Sequence, residues 1–309
     1  MIAIAFAALL AAAGPVETSV GIPGPLQGTQ LAPAAGARAP VALILPGSGP
    51  TDRDGNNTHG VKGSTYRLLA EALAAQGVTT VRMDKRGQFA SAGAAADGNR
   101  VFIADLAADA NAWAADLKKR TSAPCVWLIG HSEGALVAEV AAQKGKDLCG
   151  LVLVAGSGEP MGDTIRRQFQ TGLPAGPVRD QGLAALDALQ AGRDVDASTL
   201  PPSLQTLFAP QVRDLLREIM SYDPAQLLKT YKGPVLILQG VNDLQVVPLN
   251  ADTLKAAKPD ATLVKLEGVN HVLKTAPAER GPNFATYADP TLPLAPGVAE
   301  TITAFIKSH

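Results

Sequence analysis

A chain of 309 residues, 47% of them hydrophobic, is long enough for one large domain or two small ones and can bury a sizeable core. A formal net charge of −1, with no Lys/Arg cluster that stands out, argues against nucleic acid or an anionic membrane surface as a partner. The 30 Gly and 23 Pro point to many turns without low complexity, and no repeat at solenoid periods is evident.

Residues 1–13 are apolar and end in small residues, with Ala11 and Ala13 fitting an A-x-A cleavage site. They are too few to span a bilayer, so no stable membrane span is expected. The stretch reads as a signal peptide, which would place the mature chain, 14–309, in the periplasm or outside the cell. No Lys or Arg precedes Arg38, so a mis-assigned start or a buried N-terminal helix is the alternative.

Residues 16–31 predict a hairpin around a Pro/Gly turn, and 32–40 a linker of small residues. Val41–Leu45 is a buried strand that breaks at Pro46-Gly47-Ser48-Gly49-Pro50. A polar loop, a helix over Tyr66–Gln76 and a strand over Val78–Met83 follow. After a Gly/Ala loop come a helix over about Val101–Lys119 and a strand over Val126–Ile129. A helix then begins at Glu133, and Leu151–Ala155 is the next strand. The rhythm resumes at Gly233 with strand Pro234–Gln239, helix Pro248–Ala257, strand Thr262–Leu266 and helix Gly297–Lys307. Alternating helices and continuous apolar strands predict an α/β fold, a mostly parallel sheet covered on both faces. Residues 157–232 contain no convincing strand. Helical spacing over Asp180–Leu189 and Leu207–Met220 predicts a helical cap inserted over the strand ends, since so long a bare loop is uncommon.

Gly130-His131-Ser132-Glu133-Gly134 lies between a buried strand and a helix. That context makes a G-x-S-x-G pentapeptide a nucleophile elbow, with Ser132 as the nucleophile. The turn is tight enough that a Cβ at Gly130 or Gly134 would strike backbone. A serine hydroxyl needs a base, and the base an orienting acid. Of the four histidines, His131 adjoins the serine, His59 lies in the early loop and His309 is the last residue. His271 follows the last strand, where parallel sheets place functional groups, and is the expected base. Asp243, just past strand Pro234–Gln239, is the expected acid, with Glu267 as runner-up. The oxyanion formed in acyl transfer needs preorganised donors. The backbone N–H of Glu133 and that of Ser48, two residues past the first buried strand, are the candidates. Arg53, Asp52 and Asp54 beside that loop could bind a polar substrate end or form structural ion pairs.

These residues, with the loops Pro46–Asn56 and Asp84-Lys85-Arg86-Gly87, resemble the α/β-hydrolase superfamily over residues 40–309. Within it they are similar to a bacterial branch of secreted or lipid-anchored esterases related to dienelactone hydrolases and serine aminopeptidase-like hydrolases. The resemblance implies an α/β-hydrolase fold with Ser132 as nucleophile, His271 as base and Asp243 as acid. The serine sets the chain apart from the thiol chemistry of true dienelactone hydrolases.

The expected function is hydrolysis of small carboxylic esters through an acyl-serine intermediate. No cofactor and no metal are expected, because neither C-x-x-C nor H-E-x-x-H occurs. Amide or peptide hydrolysis by the same triad is the alternative, which an acidic pair in the cap reading a substrate amine would favour. A non-catalytic binding protein would need a broken triad. The only cysteines, Cys125 and Cys149, each sit just before a buried strand. Those strands are expected to be parallel neighbours, and an exported chain is oxidised. A disulfide at the sheet end away from catalysis is therefore predicted.

Overall fold

The computed structural model describes residues 14–34 and 39–309. The predicted signal segment, 1–13, and part of the linker lie outside the described residues. The elements run β1 (Val16–Ile22), β2 (Leu26–Ala32), β3 (Val41–Leu45), α1 (Thr65–Ala75), β4 (Thr79–Met83), α2 (Ile103–Thr121), β5 (Val126–His131), α3 (Glu133–Ala142) and β6 (Leu148–Val154). Five helices follow: α4 (Met161–Gly172), α5 (Pro177–Gln190), α6 (Pro202–Gln205), α7 (Arg213–Met220) and α8 (Pro224–Thr230). The chain closes with β7 (Val235–Gly240), α9 (Leu249–Ala257), β8 (Thr262–Leu266), α10 (Arg280–Ala285) and α11 (Val298–Ser308).

One eight-stranded sheet runs in the order β1-β2-β4-β3-β5-β6-β7-β8. The β1–β2 and β2–β4 pairs are antiparallel, and every other pair is parallel. The chain moves outward from β3 to β4, then returns to the other side of β3 as β5. Strand order reverses there, so the crevice at the carboxyl ends of β3 and β5 is where such a sheet accepts ligands.

The central strands are apolar throughout because both their faces are covered. Side chains alternate with period two. Val41, Leu43, Leu45, Leu128, Leu151 and Ile237 pack with α2, α3 and the cap helices. Ala42, Ile44, Trp127, Ile129, Val152 and Leu238 pack with α1 and α11 on the other face.

Boundaries shift where pairing overrides local pattern. β5 runs on to His131, and β6 starts at Leu148 rather than Leu151, because the parallel ladder continues through polar flanks. Val126 pairs with Leu148 and Trp127 with Gly150, so Cys149 lies inside β6 as the extra residue of an irregularity, not before the strand. Its sulfur is bonded to Cys125, with the Cα atoms 5.0 Å apart, at the sheet end opposite Ser132.

The region between β6 and β7 is helical, with five helices rather than the two that spacing predicts. The expected helix over Leu207–Met220 begins only at Arg213, since Pro210 lacks an N–H and disfavours helix before it. α4 buries Ile165 and Phe169, four apart on one face. α10 escaped the sequence reading, being a short polar helix.

Glu139 on α3, where α2 and α8 pack, is 1% exposed, and neither carboxylate oxygen has a hydrogen-bond partner. Burial, with some repulsion from Asp223, raises its pKa well above the usual value.

Two outcomes follow from these features. Thiol titration of denatured, unreduced protein should find no free thiol, and reduction should remove about 3 kcal/mol of stability on the chain-entropy model. The melting temperature should then fall by roughly 5 °C, with little change in activity at ambient temperature. For Glu139, the folded state keeps a proton that the unfolded chain releases. Stability therefore declines as pH rises from the ordinary Glu range through the raised value. Glu139→Leu should stabilise by about 1–3 kcal/mol, and more at pH 8 than at pH 5 in paired thermal melts.

Candidate active site

Ser132 occupies the turn between β5 and α3 with φ 56° and ψ −121°, a region non-glycine residues rarely adopt. Such strain costs of order 1–3 kcal/mol and persists only where its surroundings fix it. Here the Ser132 N–H donates to Val154 O at 2.9 Å, and its carbonyl accepts from the Ala135 N–H at 2.9 Å. Strand and helix cross without room for side chains. A Cβ on Gly130 would lie 2.2 Å from Gly134 O, and one on Gly134 would lie 2.3 Å from Leu45 O.

Asp243 is 2% exposed in the turn after β7. Its Oδ1 accepts from the Gln245 and Val246 N–H groups at 2.8 and 2.9 Å. Its Oδ2 takes the His271 Nδ1–H at 2.8 Å. That bond places the imidazole proton on Nδ1 and leaves Nε2 free to accept. The His271 loop is tied on both sides. Asn270 Oδ1 accepts from the Lys274 N–H at 3.1 Å, and Thr65 Oγ1 donates to Val272 O at 3.0 Å. Glu267, the runner-up acid, is exposed. Ser132 and His271 line one cleft of about 90 Å³, and no hydrogen bond joins their side chains. Ligand-free sites often show such a loose link, which tightens when substrate binds.

The loop after β3 faces the elbow. The Gly47 N–H donates to Tyr66 Oη at 2.8 Å, and Lys85 Nζ donates to Gly47 O at 2.8 Å. The Ser48 N–H has no protein acceptor among the described residues, and the Glu133 N–H belongs to the unsatisfied first turn of α3. Two amides and a helix N-terminus are thus available to an anion beside Ser132.

Sequence reasoning assigned no role to Tyr66, Lys85 or His131. His131 borders the cleft with both ring nitrogens engaged by protein groups, its Nδ1 2.9 Å from Tyr66 Oη and its Nε2 2.8 Å from His271 O. Burial and the neighbouring His271 lower its pKa to about 3, so it is neutral. A carbonyl only accepts, so His131 Nε2 carries the proton and Tyr66 donates to Nδ1. Lys85 stands just past the end of β4, a position that could have flagged it. Nothing in the local sequence singles out Tyr66. The charged cluster beside the loop is structural: Arg53 pairs with Asp84 at 2.5 Å, and Arg82 joins Asp54 and Glu17. Asp52 Oδ1 accepts from the Asp54 and Asn56 N–H groups, shaping the turn.

A family model described as serine aminopeptidase, S33, matches residues 58–171, which include the elbow but not Asp243 or His271. Esterase EstD of Thermotoga maritima is 24% identical over 251 residues; the match covers 78% of this chain and 57% of EstD's own length. Est1E from Butyrivibrio proteoclasticus, solved with ferulic acid, aligns with TM-score 0.57 at 17% identity over 94% of this chain and 96% of Est1E. A Pyrococcus furiosus esterase aligns with TM-score 0.57 at 15% identity over 96% of this chain and 91% of its own. A Mycobacterium tuberculosis puromycin-hydrolyzing peptidase aligns with TM-score 0.58 at 16% identity, over 95% of this chain but 39% of the peptidase. The chain has the α/β-hydrolase fold.

In this fold the cap helices roof a second cavity of about 430 Å³ that reaches Ser132. Met161 and Ile165 of α4, Leu216 and Ile219 of α7, and Val246 give it apolar walls. Two carboxylates line it, and each already faces a cation. Glu133 Oε1 is 3.6 Å from Lys85 Nζ, and Glu159 pairs with Arg167 at 2.5 Å. Among the described residues no group of three or more His, Cys, Asp or Glu could hold a metal ion, and no helix is long and apolar enough to cross a membrane.

Gly134→Ala tests how much the elbow depends on its missing side chain. The forced contact with Leu45 O should destabilise by about 3 kcal/mol. Chemical denaturation should show a lowered midpoint, and an unchanged midpoint would contradict the crossing geometry.

Proposed function

We propose that this α/β-hydrolase is a serine hydrolase that cleaves small carboxylic esters through an acyl-serine intermediate. One observation carries the reading. A strained serine shares a cleft with a His–Asp pair whose free nitrogen is Nε2, and unused amides face the same place.

Ser132 Oγ attacks the ester carbonyl carbon while His271 Nε2 takes the hydroxyl proton. The carbonyl oxygen becomes an oxyanion, which accepts hydrogen bonds from the Ser48 and Glu133 N–H groups. Asp243, hydrogen-bonded to Nδ1, stabilises the imidazolium without taking its proton. The intermediate collapses, His271 protonates the departing alkoxide, and the acyl group stays on Ser132. Water then repeats the sequence, with His271 again as base, and releases the acid.

The cap cavity favours an ester over a free-amine peptide. An aminopeptidase reading calls for carboxylates left to bind a substrate ammonium, whereas Glu133 and Glu159 already pair with Lys85 and Arg167. The apolar walls suit an uncharged acyl or alcohol group. The likeness to EstD, Est1E and the Pyrococcus esterase supports the same class. The Cys125–Cys149 bridge and the apolar N-terminal stretch support work in an oxidising compartment, the periplasm or the exterior.

Ser132→Ala should retain the fold and lose activity by about a thousandfold or more on chromogenic esters. His271→Ala should be equally damaging, and Asp243→Asn less so. A fluorophosphonate should add its mass to the peptide carrying Ser132 alone. Turnover of an aminoacyl anilide above that of short-chain esters would reverse the ester assignment.

A further inference from the structure

Two contacts on one residue of the oxyanion loop have no part in the reaction as written. Gly47 is held at both ends: its N–H by Tyr66 Oη at 2.8 Å and its C=O by Lys85 Nζ at 2.8 Å. Both holding side chains are buried, Tyr66 3% exposed and Lys85 4%. Burying an ammonium is costly unless it binds something definite. Lys85 meets Gly47 O and, at 3.6 Å, the carboxylate of Glu133, whose own N–H is the second oxyanion donor.

The two ends constrain two successive peptide planes. No peptide bond among the described residues is cis, so the Gly47 carbonyl and the Ser48 N–H point in opposite directions within one rigid plane. Fixing Gly47 O therefore fixes the direction of the Ser48 N–H. The other end extends further, because the Tyr66 hydroxyl that accepts from Gly47 donates to His131 Nδ1. His131 Nε2–H in turn holds His271 O. Gly47 and the backbone of the base thus share one directional hydrogen-bond chain. Its sense cannot reverse, since a neutral His131 has a single N–H and the carbonyl requires it.

We propose that Lys85 and Tyr66 are positioning residues that clamp Gly47, aim the Ser48 N–H at the developing oxyanion and, through His131, hold that loop in register with His271. The proposal rests on the ester-hydrolase reading. Lys85 borders neither cavity, and Tyr66 borders the cleft with its hydroxyl already engaged by Gly47 and His131, so the clamp acts through the donor it aims. Its loss should therefore show in the transition state and not in ground-state binding.

The test compares Lys85→Met and Tyr66→Phe with wild type on p-nitrophenyl butyrate. A trifluoromethyl ketone, which forms an oxyanion-bearing adduct with a nucleophilic serine, provides the second readout. Each variant should lose about tenfold or more in kcat with KM within about threefold, since one oxyanion donor supplies roughly a hundred- to thousandfold. Affinity for the ketone should fall by the same factor as kcat/KM, which a loosened core would not produce. If Lys85→Met fails to fold by thermal melt, Tyr66→Phe carries the comparison alone. A kcat within twofold of wild type, a change confined to KM, or unchanged ketone affinity would each overturn the clamp. A wild type inert to esters and to fluorophosphonate would instead overturn the ester reading, and the clamp with it.

Discussion

The crossing of β5 and α3 at Gly130 and Gly134 is the constraint on which the site depends. Two residues without side chains let backbone approach backbone at distances that no Cβ allows. Only that approach turns the chain sharply enough to hold Ser132 at a positive φ above the sheet. The same contact presses the turn against Leu45, the last residue of β3. The turn carrying Ser132 and the loop after β3 are therefore neighbours because two strands pair and one helix packs tightly on them. The strain at Ser132 is offset by burial in the central sheet, whose strands are covered on both faces.

Around that crossing, polar groups are buried but matched. Asp243 is held by two backbone amides, an amide side chain and the His271 ring. His131 remains neutral because it is enclosed, and neutrality gives it one donor and one acceptor, the pair that Tyr66 and His271 O require. Lys85 stays buried against a carbonyl and a carboxylate. Glu139 is the contrast: it is also buried on α3, but nothing meets its oxygens.

The helices between β6 and β7 roof the larger of the two spaces beside Ser132. They contribute side chains to a cavity several times larger than the cleft beside His271, and apolar where that cleft is mixed. Ser132 lies between the two spaces. The two carboxylates of the larger space each face a cation.

Much of this was legible in the chain itself. Continuous apolar strands broken by helical stretches dictate a covered parallel sheet, because only burial on both faces rewards such runs. The glycines around Ser132, the loop after β3, and Asp243 and His271 after late strands all lie where local chemistry and chain order indicate a site. The tertiary structure alone decided the rest. Strand pairing, not local composition, set the start of β6 and carried Cys149 into the ladder. The cap's five helices depend on burial against the body, since short segments with mixed faces carry little helical signal of their own. Tyr66, Lys85 and His131 come from three separate parts of the chain and look ordinary in sequence. Their roles arise from hydrogen bonds between residues 19, 38, 65 and 140 positions apart, which no local pattern encodes.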